Sequence, residues 1–131
     1  MQFNNRSPIY LQIAQYIHDL ISSSAWVEEE RIPSVRDMAM QLEVNPNTVI
    51  RTYSMLQDEG ILDNQRGIGY FTAKGAKKEV LKKRRDHFIK SELPNLFDSM
   101  RTLDVTLEEI ETYFLLFNKE HNYNEIQSQE E

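Results

Sequence analysis

Five polar residues in the middle of the chain combine hydrogen-bond donors and positive charge in a pattern that suits nucleic acid. A predicted helix carries three of them near its start, off its apolar stripe: Asn47, Thr48 and Arg51. The other two, Arg36 and Arg66, come before and after that helix. Short donors at a helix N-terminus suit phosphate oxygens, and an arginine one turn later can reach a base edge. The plainer interpretation, that these side chains only face solvent, stays open on this pattern alone.

Two short helices joined by a tight turn must position these side chains. Ser34, with Asp37 three residues later, resembles a capping box and begins the first helix. Asn45 suits the N-cap of the second helix because its side chain can accept from a free amide, and Pro46 suits the first helical position. Gly60 is expected to end this helix. Such a pair of helices is typical of a DNA-binding helix-turn-helix.

A predicted β-hairpin follows the second helix. Ile61-Leu62 and Tyr70-Phe71-Thr72 flank residues 64–69, which are rich in turn-forming types. A two-stranded ribbon at this place is a wing, and Arg66 at its tip can enter a minor groove. The pair of glycines around Ile68 lacks a third glycine and a following helix, so it predicts turn backbone angles and not a phosphate loop.

Several motifs occur in one order and at regular spacing through residues 7–73. They are Pro-Ile-Tyr-x-Gln-Ile (8–13), Ile-Pro-Ser-x-Arg (32–36), Val-Asn-Pro-Asn-Thr-Val-x-Arg-x-Tyr (44–53), Glu-Gly (59–60) and Gly-x-Gly-Tyr-Phe (67–71). Together they resemble the winged helix-turn-helix domain of GntR-family transcriptional regulators. The Val-Asn-Pro-Asn-Thr-Val variant with a short C-terminal region most resembles the YtrA-like subfamily. Beyond residue 73 the resemblance covers only length and helical pattern.

The resemblance implies a set of DNA-contacting residues: Arg36, Asn47, Thr48, Arg51, Arg66 and Gly67. For Arg36 the alternative is an ion pair with Asp37 or Glu43. Some relatives carry a DNA-contacting arginine one residue before Arg51, where this chain has Ile50, a residue suited to a thymine methyl group.

The N-terminal helix leads to a loop that departs from the family pattern. Residues 8–23 predict an amphipathic helix with the apolar stripe Ile9, Ile13, Ile17, Leu20 and Ile21. The family commonly has a glycine after this helix and another before Pro-Ser, whereas this chain has Ala25-Trp26-Val27 and Glu28-Glu29-Glu30 instead. A differently shaped loop and a longer helix are both open.

The net charge of −6 is unusual for a DNA-binding chain. Residues 1–75 carry 6 Lys/Arg against 9 Asp/Glu, and residues 76–131 carry 9 against 12. DNA binding must therefore depend on where individual arginines lie and not on an overall positive field. The chain has no cysteine, no apolar run near the length of a membrane helix and no signal peptide, which favours a cytoplasmic protein.

The C-terminal residues predict two apolar helices. Residues 76–102 predict one long helix, which Pro94 should kink or interrupt near Lys90 to Leu93. Thr106 with Glu109 resembles a capping box and begins a last helix that is expected to end near Asn118. Residues 119–131 are polar and are expected to be frayed.

Two such apolar helices cannot bury all of their side chains against each other, and an apolar face this large usually marks an interface. The resemblance implies a homodimer through them, with these dimerisation residues: Phe88, Leu93, Phe97, Met100, Ile110, Tyr113, Phe114 and Phe117. An unknown small-molecule effector among the aromatic residues of that interface is an open alternative to a dry core, which we favour.

These patterns predict a mainly α fold with a small β-hairpin. Residues 1–75 form a winged helix-turn-helix DNA-binding domain, and residues 76–131 form a helical dimerisation region with a frayed tail. The expected function is a sequence-specific transcriptional regulator, most simply a repressor, that binds a pseudo-palindromic operator as a homodimer. The alternative is a winged-helix module for protein association that has lost DNA binding. No pattern of catalytic or metal-ligating residues predicts an enzyme, a cofactor or a metal site.

Overall fold

The computed structural model describes residues 1–130, with side chains at all of these positions except 123, 126, 127 and 130. The elements in chain order are α1 (Ile9–Ser22), α2 (Val35–Leu42), α3 (Pro46–Asp58), β1 (Leu62–Gln65), β2 (Gly69–Thr72), α4 (Ala76–His87), α5 (Leu93–Thr102) and α6 (Leu107–Glu130). The predicted mainly helical fold with one hairpin is confirmed. It forms a first compact unit, Met1–Asp86, and a second that begins at His87.

The core of the first unit lies between α1, α2 and α3. Ile13, Ile17 and Ile21 of α1 are buried, as the predicted stripe requires, whereas Ile9 at the helix start is 43% exposed. From α3 the core receives Val49, Tyr53 and Leu56, and from α2 it receives Met38 and Ala39. The helix-turn-helix is therefore packed on one side against α1, which leaves the opposite side of α3 in solvent.

Local hydrogen bonds set the two helices of the helix-turn-helix. The Ser34 hydroxyl accepts from the Asp37 amide at 3.1 Å, and the Asn45 side chain accepts from the Asn47 amide at 2.8 Å. Both predicted N-caps are confirmed. Gly60, with φ +77°, follows the end of α3, and the amide of Ile61 donates back to the Leu56 carbonyl at 2.9 Å. A left-handed glycine with this bond is the expected way for a helix to end.

The hairpin is longer than predicted and is joined by a third extended segment. Pairing continues to Gln65 opposite Gly69, so the loop is only residues 66–68. Backbone bonds then join residues 29–32 to β2: the Ile32 amide donates to Tyr70, and the Thr72 amide donates to the Glu30 carbonyl, both at 3.0 Å. The wing is therefore fastened to the segment that leads into α2.

The loop after α1 keeps left-handed turns without glycine. Ser24, which precedes Ala25-Trp26-Val27, has φ 64°, and Glu29, within Glu28-Glu29-Glu30, has φ 68°. Helix α1 ends at Ser22, one residue before the predicted end. Of the two open alternatives, a longer helix is excluded, and the chain instead accepts left-handed backbone at side-chain-bearing residues.

Proline interrupts the helical run of residues 76–102 as predicted. A π-helical turn, Phe88–Glu92, separates α4 from α5, and the Leu93 amide donates to the Phe88 carbonyl five residues earlier. Pro94 has no amide proton to give to the Lys90 carbonyl four residues before it, so regular α-helical bonding cannot continue through this point.

Helix α6 begins as predicted and ends later than predicted. The Thr106 hydroxyl accepts from the Glu109 amide at 3.2 Å, which confirms the capping interaction. The predicted end near Asn118 is wrong, because α6 extends to Glu130. Residues 119–130 contain no proline or glycine, and half of them are lysine, glutamate or glutamine, which have good helix propensity. The remaining residue of the expected frayed tail, 131, lies outside the described residues.

The first unit extends past the expected border between residues 75 and 76. Ala76 and Val80 of α4 are buried in its core. Lys77 also hydrogen-bonds from its ammonium to the Ser24 hydroxyl at 3.0 Å, so α4 is tied to the loop after α1. The division into a DNA-binding part and a dimerisation part at that border stays a prediction.

Candidate nucleic-acid interface

The exposed side of α3 carries the residues predicted to contact DNA. Pro46 occupies the first turn, and Asn47 and Arg51 are exposed while Thr48 is half-buried. Their opposite side is the fully buried stripe of Val49, Tyr53 and Leu56. Helix α3 is therefore amphipathic in the way a recognition helix requires, with one side in the core and short donors on the other.

Arg51 has a specific neighbour that the sequence pattern did not indicate. Its guanidinium lies 3.7 Å from the centre of the Tyr10 ring, in a cation–π arrangement. Tyr10 is half-buried at the start of α1, and its backbone carbonyl accepts from the Thr52 hydroxyl at 2.9 Å. No one-dimensional sequence pattern brings residues 10 and 51 together.

Arg36 lies in the first turn of α2 and is exposed. In the part of the chain that the structure describes, it forms no ion pair with Asp37 or Glu43, and neither Arg51 nor Arg66 forms one with any acid. The three arginines therefore keep their donors available for a ligand. This removes the ion-pair alternative for Arg36 within the described residues.

A buried tyrosine fixes the geometry between the two helices. The hydroxyl of Tyr53 in α3 donates to the Pro33 carbonyl at 2.8 Å, immediately before the N-cap of α2. Its ring also packs edge-on against the Tyr70 ring of the wing, with 4.9 Å between the two ring centres. Burial, and next the neighbouring Tyr70, raise the pKa of Tyr53 well above its usual range, so it stays a neutral donor. One side chain thus links α2, α3 and the wing.

Arg66 and Gly67 lie at the exposed tip of the wing, and Gly67 has φ +79°. Gly69 has φ +147°, which agrees with the predicted role in turn backbone angles, and it has a second constraint. A Cβ there would lie 2.9 Å from the Arg31 guanidinium, which packs directly on the strand backbone. A second arginine, Arg31, therefore lies beside the wing. The sequence did not predict it, because its place next to β2 follows from the third extended segment. Ile50, where some relatives have arginine, is 45% exposed on α3.

Among residues 1–130, no group of three or more histidine, aspartate or glutamate side chains could hold a metal ion. No helix in that range is both long enough and apolar enough to cross a membrane.

Comparison with known proteins identifies the family. The model for the gntR family of bacterial regulatory proteins matches residues 9–71. The HTH-type transcriptional regulator YhcF of Bacillus subtilis is 38% identical over 109 residues, which cover 83% of this chain and 88% of that protein. The chain belongs to the GntR family. The predicted winged helix-turn-helix is thereby confirmed, and the family consists of bacterial regulatory proteins.

The similarity to other GntR regulators includes the C-terminal helices. The transcriptional repressor YtrA of Bacillus subtilis is 33% identical over 112 residues, covering 84% of this chain and 85% of the repressor. A crystal structure of a GntR-family regulator from Bacteroides thetaiotaomicron superposes with a TM-score of 0.78 at 42% identity, covering 86% of this chain and 98% of that one. The predicted YtrA-like resemblance is confirmed. The individual DNA-contacting and dimerisation residues stay predictions.

Proposed function

We propose that this GntR-family regulator is a cytoplasmic, sequence-specific repressor that binds a pseudo-palindromic operator as a homodimer. The observation that carries the proposal is the exposed side of α3, where Asn47 and Arg51 face solvent opposite a fully buried stripe. A helix used only for packing has no need to present free donors in its first two turns. That side of α3 is the surface expected to enter the major groove.

The other predicted contacts surround α3. Arg36, one helix earlier, is suited to fork onto a phosphate or a guanine, because guanidinium offers paired donors. Arg66 at the wing tip is suited to a flanking minor groove, and Gly67 beside it allows the backbone to come close to the sugar–phosphate chain. Asn47 and Thr48 supply short donors for phosphate oxygens at the start of α3.

Local charge, and not net charge, supports DNA binding. The chain carries −6 overall, yet Arg36, Arg51 and Arg66 are free of ion pairs in the described residues. Each phosphate contact releases counterions, so the affinity for DNA should fall with salt. The surrounding acidity is expected to weaken binding to random DNA, which lacks compensating base contacts.

The second unit supports a homodimer. Of the predicted dimerisation residues, five aromatic side chains are exposed on its surface: Phe88, Phe97, Tyr113, Phe114 and Phe117. The three aliphatic ones are half-buried: Leu93, Met100 and Ile110. Burying such surface contributes about 25 cal/mol per Å². Two copies related by a two-fold axis can cover the same patch on each other and present two α3 helices to a two-fold-symmetric operator. We expect the covered aromatic cluster to be a dry core and not an effector pocket.

Repression is the expected outcome of binding, because a dimer bound over a promoter blocks polymerase. YtrA, a relative that matches nearly the whole chain, is named a repressor. Transcription of a reporter from a promoter that contains the selected operator should fall when the protein is added. A rise in transcription would contradict the repressor assignment and leave DNA binding intact.

The deciding experiment is selection of bound sequences from a random duplex pool with the full chain, followed by anisotropy titration of the selected site. We expect a two-fold-symmetric site and binding that weakens with salt. Arg51→Ala should reduce the affinity, whereas Arg101→Ala is a matched control, since Arg101 is an exposed arginine of α5 outside the proposed interface. An unchanged affinity for Arg51→Ala would contradict the recognition-helix assignment.

The alternative function is a protein-association module without DNA binding. The net charge of −6 and the exposed aromatic side chains of the second unit favour it. It predicts no enriched sequence and no DNA binding at low salt, with self-association still detectable by sedimentation. Enrichment of a symmetric site would exclude it.

A further inference from the structure

The stack between Arg51 and Tyr10 places the arginine at the flank of the recognition helix. The guanidinium lies 3.7 Å over a ring that belongs to α1 and not to α3. Arg51 is therefore drawn toward the first helix and does not project straight out from α3. A side chain held in this way is suited to the phosphate wall of a groove more than to the base edges at its floor.

The contact with Tyr10 also leaves the N–H donors of Arg51 free. A guanidinium group has five N–H donors in its plane, and the contact with Tyr10 is made by its central carbon, 3.7 Å from the ring centre. Arg51 is exposed and forms no ion pair within the described residues. Its donors can thus meet two phosphate oxygens while the ring keeps the group in place, which lowers the entropy lost on binding.

Tyr10, whose ring lies against Arg51, is itself held in place. The Thr52 hydroxyl, on the residue after Arg51, donates to the Tyr10 carbonyl at 2.9 Å. Thr52 is fully buried, so this bond joins the start of α1 to the middle of α3 inside the core. The ring and the arginine are therefore held on neighbouring parts of one packed unit.

We propose that Tyr10 is a positioning residue that holds Arg51 as a clamp for a DNA backbone phosphate. The clamp fixes the position of the protein on the duplex and reads no base. Sequence reading by α3 is then left to other exposed positions such as Ile50, which is 45% exposed and suited to a thymine methyl group. This inference rests on the DNA-binding function proposed above.

The test compares the full chain with Arg51→Ala, Tyr10→Leu, Tyr10→Phe and the double variant Tyr10→Leu/Arg51→Ala. The affinity of each is measured on the selected operator and on a random duplex over a range of salt concentrations. Arg51→Ala should lower the affinity for both duplexes by the same factor. It should also make the slope of log affinity against log salt less steep, by the amount expected for the loss of one phosphate contact. Tyr10→Leu should lower the affinity for both duplexes by about fivefold, and Tyr10→Phe should bind them as tightly as the wild type.

The double variant separates positioning from general packing. Tyr10→Leu should have no further effect once Arg51 is absent, because the ring then has nothing to position. Tyr16→Leu is the matched control, since Tyr16 is a half-buried tyrosine of the same helix that stacks on no arginine in the described residues. Thermal unfolding of each variant reports separately on the fold.

Several results would overturn the proposal. If Arg51→Ala loses much more affinity for the operator than for the random duplex, Arg51 reads a base. The proposed function would still hold in that case. Equal losses for Tyr10→Phe and Tyr10→Leu would assign the effect to the hydroxyl and not to the stack. Additive losses of affinity in the double variant would mean that Tyr10 acts independently of Arg51. Absence of DNA binding by the wild type would overturn the proposed function itself.

Discussion

The two compact units bury their apolar side chains very differently. In the first unit, residues from α1, α2, α3 and α4 form one core in which Ile13, Ile17, Tyr53 and Leu56 have no exposed surface. In the second unit, none of the side chains that the structure describes is buried, and Tyr113 is 67% exposed. The first unit therefore has its own source of stability, whereas we expect the second to obtain its stability from a second copy.

The largest expected effect is the loss of a core leucine in the first unit. Leu56→Ala removes a fully buried side chain from α3 and should lower the free energy of unfolding by about 2–5 kcal/mol. Leu115→Ala makes the same change at a residue of α6 that is 59% exposed. Urea denaturation at two protein concentrations should show a concentration-independent loss for Leu56→Ala. If Leu115→Ala lowered the free energy of unfolding by the same amount, also independently of protein concentration, the contrast between the two units would be contradicted.

A charge placed in the exposed aromatic cluster tests the second unit directly. Phe114→Glu should weaken the dimer by about 2–4 kcal/mol, or roughly 30- to 1,000-fold in the dissociation constant, because a charge cannot be buried unpaired. Met40→Glu is the control, since Met40 is 66% exposed on α2 of the first unit. Sedimentation should show monomers for Phe114→Glu only. A dimer that persists in Phe114→Glu would place the interface elsewhere.

The first unit also contains a half-buried histidine, His18, whose protonation opposes folding. The Nε2 atom of His18 is buried without a hydrogen-bond partner in the described residues. Burial, and next the charges of Arg84 and Lys83, lower the pKa of His18 below its ordinary value of 6.5, although Asp19 acts in the opposite direction. The unfolded chain therefore binds a proton more readily, so stability should fall as the pH decreases below about 6.5.

Urea denaturation between about pH 7.5 and pH 5.5 measures this dependence. His18→Gln should flatten it, whereas His87→Gln, at an exposed histidine, should leave it unchanged. An equal slope in wild type and His18→Gln would assign the pH dependence to other groups.

The smallest expected effect concerns the left-handed loop. Glu29→Gly should stabilise the first unit by about 0.5 kcal/mol, because the strain of a side chain at φ 68° exceeds the extra freedom of glycine in the unfolded chain. Glu28→Gly, at a neighbour outside the residues with positive φ, should destabilise it instead. A rise in melting temperature for the first variant and a fall for the second are the expected results. A fall for both would show that Glu29 is unstrained.

The features predicted well from sequence are those set by neighbouring residues. The N-caps at Ser34, Asn45 and Thr106 follow from side chains that bond an amide two or three residues away. The interruption at Pro94 follows in the same way, because a missing amide proton acts four residues earlier. The three arginines of the proposed interface were predicted from local motifs of the same kind, and their contacts with DNA stay predictions.

The features missed depend on residues distant in sequence. The stack of Arg51 on Tyr10 joins positions 41 residues apart, and Arg31 meets Gly69 through a third extended segment. The predicted end of α6 is too early, because a polar composition does not distinguish a frayed tail from an exposed helix, and half of residues 119–130 are good helix formers. Periodicity shows which side of a helix is buried, but it does not show which helix lies opposite.

The attachment of residues 29–32 to β2 has a consequence for how the wing moves. The Ile32 and Thr72 amides are donors in the bonds that join the wing to the chain entering α2. Exchange of these amide protons with solvent therefore requires the segment and the wing to separate together, as one cooperative opening. Arg66 at the wing tip and Arg36 in α2 then belong to one mechanically coupled body. Hydrogen exchange should show these two amides protected to the same degree, and DNA that slows exchange at one should slow it at the other.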